Sequence, residues 1–356
     1  MMKKRKAIFF DPYLETLGGG ERYFLTLAAC LARKKSWQVE IAWPSSSWRD
    51  EARVNFGLNF NRVNSVNINF HELQLLVKRR LLKKYDLCFW VSDGSLPWLF
   101  ARKNILHFQV PFHQVEGRRM INRLKLKKIN EIVCNSFFTK SFIDREFGVE
   151  SSVIEPPVPV EMLKPGKKEN LILSVGRFTN LLHHKRQDIL VQAFKKMIDM
   201  GLKDWRLLLI GGDREGKDLV KKLRKAGRDY PIEIRTNLSF AELKQHYARA
   251  RIFWTAAGFG VREKDSPEQV EHFGMTTVEA MAAGCVPVVI KKGGQREIVE
   301  DSLNGFLWQN RQELIKLTGD LISKPGLLAK MKTQAILKSR QYSQKSFCEK
   351  YEKIIF

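Results

Sequence analysis

Two glutamates stand eight positions apart in the stretch EHFGMTTVEAMAAGCVPVV, which covers residues 271–289. Glu271 and Glu279 could act as a general acid and base, ligate a metal, cap a helix or accept hydrogen bonds from ligand hydroxyls. Gly284 comes just before an apolar strand pattern and is a typical helix-ending residue, so the pattern predicts a helix over about 276–283. The four residues from Thr276 to Glu279 match a capping box, which would be a purely structural role for Glu279.

A capping box does not account for Glu271, which precedes the predicted helix. On one continuous helix the two carboxylates would be about 12 Å apart and on different sides. A turn at Gly274 would let both flank a ligand at the helix N-terminus, where the backbone N–H groups of Met275 and Thr276 can bind a phosphate. The chain contains no Asp-x-Asp motif, so a metal site has little support. We expect sugar and ribose hydroxyls on either side of a diphosphate.

Two basic residues follow the predicted strand LILSVG, residues 171–176. Arg177 comes directly after the strand, and Lys185 stands just before the next predicted helix. An arginine fork and a lysine point charge suit two phosphates whose charge grows as a bond breaks. The alternative is ordinary solvated surface, since the net charge of the chain is +24. His183 and His184 have no carboxylate or cysteine at ligand spacing, and we expect loop roles for them.

A glycine-rich stretch, LGGGERYFLTLAACLARK, covers residues 17–34 and lies between a predicted strand and an amphipathic helix. Glycines such as Gly18 and Gly19 let a backbone approach a ligand closely, and the helix behind them presents free N–H groups. An anion, and a diphosphate in particular, would fit there. The stretch is not the GxGxxG fingerprint of dinucleotide binding, which makes a dehydrogenase a weaker interpretation. A flexible turn is the alternative.

Short β-rich runs alternate with longer amphipathic stretches along the whole chain. This alternation is typical of parallel sheets covered by helices on both faces, so the sequence predicts an α/β fold. The stretch IEPPVPVEMLKPG, residues 154–166, is rich in proline, lacks helical periodicity and marks a linker. We expect a first doubly wound domain over 1–158, a second over 159–335 and a C-terminal helix over 336–356. Such sheets bind ligands at the carboxyl ends of their strands, which predicts two domains facing each other across a cleft.

The individual elements follow from the same periodicities. The predicted strands are 7–10, 38–43, 66–69, 86–91, 104–109 and 131–134 in the first half, and 171–176, 205–212, 232–234, 251–256 and 285–290 in the second. The predicted helices are 20–33, 73–84, 119–129, 137–147, 186–200, 216–227, 240–249 and 276–283.

Charge and cysteine usage restrict the class of protein. Both halves of the chain are basic, which suits nucleic acid, an anionic membrane surface or phosphorylated substrates. The five cysteines form no CxxC, and we expect buried free thiols and no zinc site. The N-terminal residues resemble a first strand and not a signal peptide, and no apolar run has the length of a membrane span. These features favour a cytoplasmic protein.

Several segments, taken together in their order, resemble one enzyme family over nearly the whole chain. They are GGGER, VCNSFFTKSFI, EPPV, SVGRF with HKRQDILVQAF, the Glu-x7-Glu of residues 271–279, and GGQREIVEDSLNGFL. The chain resembles the family 4 glycosyltransferases, which are retaining enzymes of the GT-B type with two Rossmann-like domains. The resemblance implies an acceptor-side first domain, a second domain that binds the nucleotide sugar, and a C-terminal helix that packs back on the first domain.

The resemblance also assigns roles to residues. It implies that Gly18 and Gly19 lie near the diphosphate of the donor, and that Arg177 and Lys185 clamp its phosphates. Glu271 would hold the transferred sugar. It further implies that Glu279 holds the ribose, that no metal is required, and that the donor is a nucleotide-diphosphate sugar. The long loop over 258–274 is similar to loops of mannosyl-transferring relatives, which favours GDP-mannose as donor. The acceptor would be a glycan or lipid-linked hydroxyl in cell-surface polysaccharide or glycolipid synthesis.

One departure from the family concerns the segment ILHFQVPF, residues 105–112. Many relatives carry a histidine two positions before its proline, facing the sugar or acceptor, and here that place holds Gln109. An amide can donate a hydrogen bond but cannot act as a base. Gln109 and the nearby His107 are candidate residues for contact with the acceptor or the sugar. We assign no catalytic base.

Three alternatives stay open at this point. The chain could be a non-catalytic nucleotide-sugar or glycan binder of the same fold, although its glutamates and basic residues are all present. Charge alone suggests a nucleic-acid binder, but no motif supports that function and we expect no nucleic-acid partner. The basic amphipathic segments 77–84 and 116–130 could lie on the inner face of an anionic membrane, or they could be solvated helices that pack their apolar sides inward.

Overall fold

The computed structural model of the chain describes residues 4–16, 18–179 and 185–356. The predicted loop histidines His183 and His184 lie outside these ranges. The chain forms two compact units, and its C-terminal end belongs to the first. The first unit comprises Met1–Pro157 and Gln344–Phe356, and the second comprises Val158–Ser343.

The first unit is built around a seven-stranded parallel sheet. Its strands are β1 (Arg5–Phe10), β2 (Trp37–Ala42), β3 (Val63–Val66), β4 (Leu87–Val91), β5 (Lys103–Phe108), β6 (Glu131–Cys134) and β7 (Ser152–Val153). They lie in the order β3-β2-β1-β4-β5-β6-β7. The strand order reverses beside β1, as it does in a doubly wound Rossmann-like sheet.

Helices cover both faces of this sheet. They are α1 (Gly19–Arg33), α2 (Trp48–Phe56), α3 (Leu75–Leu82), α4 (Met120–Leu126) and α5 (Phe137–Phe147). Side chains of β1 alternate between two hydrophobic clusters, with Ala7 and Phe9 in one and Ile8 and Phe10 in the other. Because successive residues of a strand point to opposite faces, this alternation gives the sheet a core on each side.

The second unit is built around a six-stranded parallel sheet. Its strands are β8 (Leu171–Val175), β9 (Arg206–Gly211), β10 (Ile232–Thr236), β11 (Ile252–Thr255), β12 (Val286–Ile290) and β13 (Phe306–Trp308), in the order β10-β9-β8-β11-β12-β13. Its helices are α6 (Gln187–Asp199), α7 (Lys217–Ala226), α8 (Phe240–Arg249), α9 (Met275–Ala282), α10 (Gln295–Ile298), α11 (Arg311–Ser323) and α12 (Pro325–Ser339). Every residue of β12 is buried, which explains the apolar run that the sequence shows there.

The predicted α/β architecture is confirmed, and α5 and α8 have the predicted bounds. The strand predicted at 66–69 is instead β3, where Val63 is buried and pairs with Val39 of β2. The segment alternates apolar and polar residues on both sides of Val66, so periodicity alone did not set its start. The elements α2, β7, α10, β13 and α11 were not predicted. Within the described residues, none of the helices has the length and apolar character required to span a membrane.

The C-terminal segment holds two helices where one was expected over 336–356. Helix α12 continues to Ser339, and after a short 3-10 turn α13 (Gln344–Ile355) begins. Helix α13 is part of the first unit, where the hydroxyls of Tyr351 and Tyr23 lie 2.7 Å apart in the core. Lys350 of α13 also pairs with Glu155 at 2.6 Å.

The cysteines differ in part from the expectation of five free thiols. Cys88, Cys134 and Cys285 are free and buried, as predicted. Cys30 of α1 and Cys348 of α13 form a disulfide, so the prediction is wrong for this pair. The two residues are 318 positions apart in sequence, and only the return of α13 to the first unit brings them together.

Candidate active site

An ion pair links the two sides of the predicted site in the second unit. Lys185 stands two positions before α6, and its Nζ lies 2.7 Å from Oε2 of Glu271. About a fifth of each side chain is exposed, at 22% and 19%. The aliphatic part of Lys185 lies over Gly176, where an added Cβ would be 3.0 Å from its Cγ. The pair is therefore placed beside the carboxyl end of β8.

The backbone of Glu271 is held separately from its side chain. Its carbonyl accepts the N–H of Gly294 at 2.9 Å. Gly293 has φ +54°, and a side chain there would collide with that carbonyl. The carboxylate of Glu263 accepts the Gly293 N–H at 2.5 Å and pairs with Arg296 at 3.0 Å. The stretch GGQRE thus fixes the backbone from which the Glu271 side chain projects.

Helix α9 begins one residue earlier than predicted, and it has no capping box. Its N-cap is Gly274 with φ +118°, and no side chain caps the helix. The N–H groups of Thr277 and Val278 both donate to the Gly274 carbonyl. The first-turn amides of Met275 and Thr276 have no intrahelical acceptor because they precede the first closed turn. The turn that was inferred at Gly274 is therefore present.

Glu279 has a buried hydrogen-bond donor instead of a capping role. The hydroxyl of Tyr247, on α8, donates to Oε2 of Glu279 at 2.9 Å. Tyr247 is fully buried and Glu279 is 7% exposed. A buried carboxylate with a fixed donor keeps a defined orientation, and because a carboxylate has about four acceptor positions it can also accept a ligand hydroxyl. Sequence analysis missed Tyr247, whose local sequence QHYARA carries no signal for this role.

A second buried residue that sequence analysis missed supports the start of α9. The Oε1 of Gln295 accepts a hydrogen bond from the Thr277 hydroxyl at 2.9 Å, and both residues are buried. An added Cβ on Gly274 would lie 2.8 Å from Nε2 of Gln295. The site therefore needs glycine at 274 for two reasons, namely the left-handed backbone and the lack of space.

Arg177 follows β8 as predicted, and its side chain is exposed. The backbone carbonyls of Gly176 and Arg177 both accept from Nε2 of the buried Gln187, at 3.2 Å each. The backbone at Gly176 and Arg177 is thus held by α6, while the Arg177 side chain is exposed. Its place at the strand end fits the predicted phosphate contact, which stays a prediction.

In the first unit, Gly18 and Gly19 stand at the start of α1, as expected. The N–H of Gly18 already donates to the Glu21 carboxylate at 2.5 Å. Asp11, which follows β1, is 4% exposed, and one of its oxygens has no hydrogen-bond partner within the described ranges. Burial, and secondarily the charge of Glu21, raise the pKa of Asp11 to about 7. Two carboxyl groups near this helix start weaken its attraction for an anion, so the diphosphate contact of the glycines stays a prediction.

The two residues predicted as acceptor contacts have different environments. Gln109 follows β5, and its side chain lies against Gly20 at the start of α1. His107 is fully buried within β5, where its ring stacks on Tyr23 at 4.0 Å and its Nδ1 lies 3.1 Å from the Val133 carbonyl. Burial lowers the pKa of His107 to about 3, so the ring is neutral. The structure therefore makes His107 a core residue and not a surface contact.

The second unit thus combines a cation, two carboxylates and a helix N-terminus. Lys185 and the amides of α9 can neutralise phosphate oxygens, and carboxylates can accept hydrogen bonds from hydroxyl groups. Among the described residues, no group of three histidines, cysteines or acids is arranged to hold a metal ion. The geometry suits a ligand that carries both phosphate and sugar hydroxyls.

Comparison with known proteins decides the family. The sequence model described as Glycosyl transferases group 1 matches residues 161–338, which is half of the chain and covers the site just described. The chain belongs to the group 1 glycosyl transferases.

Two curated relatives of this group 1 glycosyl transferase differ in how much they share with it. An uncharacterized glycosyltransferase of Haemophilus influenzae is 24% identical over 377 residues, which cover 99% of this chain and 100% of the relative. The GDP-Man:Man(3)GlcNAc(2)-PP-Dol alpha-1,2-mannosyltransferase of Dictyostelium discoideum is 26% identical over 229 residues, which cover 59% of this chain. The chain spans only 43% of the length of that mannosyltransferase.

Solved structures share the fold of the whole chain. A glycosyltransferase from Rickettsia africae ESF-5 has a TM-score of 0.78 and 18% identity, and the match covers 99% of this chain and 98% of that one. HepE from Anabaena, solved in complex with UDP and glucose, has a TM-score of 0.72 and 17% identity, with 99% of both chains covered. These likenesses confirm the predicted GT-B fold with two Rossmann-like domains.

Proposed function

We propose that this group 1 glycosyl transferase is a retaining hexosyltransferase that uses a nucleotide-diphosphate sugar. The observation that carries the proposal is the Lys185–Glu271 pair beside the start of α9. A lysine ammonium has three donors, so Lys185 can keep Glu271 and still bind a phosphate oxygen. Glu271 would then stand where the diphosphate joins the sugar.

In the proposed step, the acceptor hydroxyl attacks the anomeric carbon from the face that the diphosphate leaves. The bond from that carbon to the phosphate oxygen breaks, and a bond to the acceptor oxygen forms. The acceptor proton goes to an oxygen of the departing phosphate, so no protein base is required. The contribution of the protein is to position the reactants and to stabilise the leaving charge.

Each site residue has a role in this proposal. Lys185 and Arg177 bind the phosphates together with the first-turn amides of α9, while Glu271 accepts hydroxyls of the sugar and Glu279 those of the ribose. The proposed reaction requires no metal, so transfer should persist when EDTA removes divalent cations. Loss of activity in EDTA that Mg²⁺ restores would contradict this part.

GDP-mannose is the proposed donor. Relatives named as GDP-mannose-dependent mannosyltransferases, from Dictyostelium discoideum to Homo sapiens, align with 57–59% of the chain at 26–27% identity. A thermal-shift panel of GDP, UDP, GDP-mannose and UDP-glucose tests the choice, because a ligand stabilises the state that binds it. We expect guanine nucleotides to raise the melting temperature most, and Glu279→Gln to reduce that shift. A larger shift with UDP compounds would reassign the donor.

Activity itself is tested by release of GDP in the presence of candidate acceptors. We propose a glycan or lipid-linked acceptor of cell-surface polysaccharide or glycolipid synthesis. GDP release that depends on the acceptor, with a new α-linked product, would support transfer. Saturable donor binding without acceptor-dependent release from any such panel would favour a non-catalytic binder of the same fold.

We further propose that the first unit contacts the inner, anionic surface of a membrane through α3 and α4. Each helix packs one end against the core, through Leu81 and Leu82 of α3 and through the partly buried Leu126 of α4, and leaves its other apolar side chains outside. Their exposed apolar side chains are Leu75 (50%), Leu76 (68%), Val77 (44%), Met120 (80%), Ile121 (48%) and Leu124 (45%). Burial, and secondarily the charge of Lys78 on α3, lower the pKa of Lys125 on α4. Exposed apolar groups among cations fit an anionic interface.

Vesicle flotation tests this surface. Wild-type protein should float with vesicles that contain anionic lipid and stay behind with neutral ones. The triple variant L76E/M120E/I121E should lose flotation, whereas the matched variant V54E/M162E/L337E, which changes exposed apolar residues elsewhere, should keep it. Equal recovery with both kinds of vesicle would refute the proposal.

A further inference from the structure

An apolar groove that the proposed reaction does not use lies between three helices of the second unit. Helix α6 has α7 on one side and α11 on the other, and the space between them forms a cavity of about 860 Å³. Its apolar lining comes from Val191 of α6, from Leu219 and Leu223 of α7, and from Ile315 of α11. Met200, at the end of α6, lines the cavity and is 66% exposed. Val191, Leu219 and Leu223 are buried at the bottom of the cavity, whose volume lies within the range of about 300–1,000 Å³ that is usual for binding pockets.

The rim of the groove is cationic. Five basic residues line it against two carboxylates: Lys195, Lys196, Lys222, Arg311 and Lys316 face Asp188 and Asp199. Each carboxylate already has a partner, since Asp188 pairs with Arg186 at 2.9 Å and Asp199 accepts from the Tyr230 hydroxyl at 2.9 Å.

Three of the lysines keep their charge available. Lys196, Lys222 and Lys316 are exposed, and no ion pair involves them in the ranges that the structure describes. Among the described residues, Lys195 bonds to the Ala226 carbonyl and Arg311 to the Gln192 amide, and both of these acceptors are neutral. A ligand with an apolar face and acidic residues beside it would pack on the apolar lining of the groove and pair with the basic residues of its rim.

The length of the groove favours a helical occupant. The lining residues of α6 run from Asp188 to Met200, which corresponds to about 18 Å along the helix axis. An amphipathic helix of slightly more than three turns has that length, and its side chains at i, i+3, i+4 and i+7 span about 10 Å of it. A second copy of this chain is disfavoured because the net charge of each copy is +24.

We infer that the groove between α6, α7 and α11 binds an acidic amphipathic helix of a partner protein. The inference does not rest on the proposed function, because the groove shares no residue with the Lys185–Glu271 site. It assigns an adaptor role to this face of the second unit, through which another protein would hold the enzyme in an assembly.

The test uses a displayed library of helical peptides in which leucines are fixed at i, i+3, i+4 and i+7 and all other positions are random. Selection on the full-length protein should recover peptides enriched in Asp and Glu beside the leucines. A recovered peptide, labelled with a fluorophore, should bind saturably and compete with no nucleotide sugar. Selection without acidic enrichment would overturn the inference.

Variants locate the bound peptide. The charge reversal K196E/K222E/K316E should weaken binding by about tenfold or more, because it inverts the rim. The matched variant K203E/K225E/K330E has the same change in net charge outside the groove and should bind within about twofold of wild type. Ala226→Trp fills the groove from an exposed position and should abolish binding, whereas Ala329→Trp on α12 should not.

Other outcomes would overturn the inference. Equal binding by both charge-reversed variants would indicate a non-specific attraction of an acidic peptide to a basic chain. Retained binding in Ala226→Trp would place the peptide elsewhere. A wild-type dimer in sedimentation that Ala226→Trp dissociates would assign the groove to a second copy. Circular dichroism and thermal unfolding confirm that each variant is folded.

Discussion

Lys185 Nζ and Glu271 Oε2 lie 2.7 Å apart although 86 positions separate them in sequence. The pair joins the loop after β8 to the loop before α9, and both side chains retain some contact with solvent. Because the Glu271 carboxylate already orients the Lys185 ammonium group, that group loses little further conformational entropy when it binds a phosphate. The Glu271 carboxylate would in turn lie beside the phosphate that Lys185 binds. This relationship is the basis of the proposed chemistry.

Lys185→Ala should lower turnover by about 100-fold or more, because the leaving diphosphate loses a preorganised cation. The free energy of unfolding should fall by about 1 kcal/mol or less, since the pair is partly solvated. Steady-state kinetics and urea unfolding measure the two effects. Lys203→Ala, at an exposed position of the same unit, is the control and should change neither. Turnover close to wild type in Lys185→Ala would remove the phosphate-clamp argument.

Tyr247→Phe should raise KM for the donor several-fold, because Glu279 loses the hydrogen bond that orients it. The free energy of unfolding should fall by about 1–3 kcal/mol, as expected for a buried bond to a charged group. The matched control is Tyr351→Phe, which removes a buried hydroxyl that bonds Tyr23 in the first unit. That variant should lose stability without a change in KM. If Glu279→Gln raises KM and Tyr247→Phe does not, Tyr247 has no positioning role.

Asp11→Asn should stabilise the protein more at high pH than at low pH. The pKa of Asp11 is raised from 3.8 to about 7, so between these values the folded protein keeps a proton that the unfolded chain has lost. The contribution of Asp11 to the free energy of unfolding is therefore fully present below pH 3.8, the pKa in the unfolded chain. It falls by about 4 kcal/mol as pH rises from that value to about 7, the pKa in the folded protein. Above pH 7 the difference between the two proteins should stay constant.

Urea unfolding of wild type and Asp11→Asn at several pH values measures this difference. Asn keeps the acceptor for the Tyr13 N–H, which lies 2.9 Å from Oδ1 of Asp11, so the variant changes the titration more than the shape. The buried His107, whose pKa is lowered from 6.5 to about 3, lowers the free energy of unfolding as pH falls below 6.5, whereas Asp11 lowers it as pH rises. It is present in both proteins and cancels. A pH-independent difference would show that Asp11 ionises normally.

A thiol count tests the disulfide between Cys30 and Cys348. The folded protein should react slowly, because Cys88, Cys134 and Cys285 are buried and burial raises the pKa of each thiol. Without reductant, the unfolded chain should expose these three thiols, and reduction should expose the remaining two. In Cys348→Ser the unreduced, unfolded chain should show one additional thiol. Five thiols before reduction would restore the original expectation.

The sequence alone determined the elements whose signals are local. Alternation of apolar and polar residues located most strands and helices. Gly274 and Gly284 were also predictable, because a left-handed backbone restricts a position to few residue types. The capping box that was the structural alternative for Glu279 does not form, because α9 begins at Met275, one residue before the predicted start, and has Gly274 as its N-cap.

The tertiary structure alone decided which side chains meet. Tyr247 and Glu279 are 32 positions apart, and no local pattern signals that α8 and α9 place them 2.9 Å from each other. His107 has a polar side chain in a strand pattern, and only the packing of α1 over β5 buries it completely. Periodicity reports which face of an element is apolar, but the partner of that face depends on contacts between distant parts of the chain. The orientation of the site therefore comes from packing that the sequence encodes only as a whole.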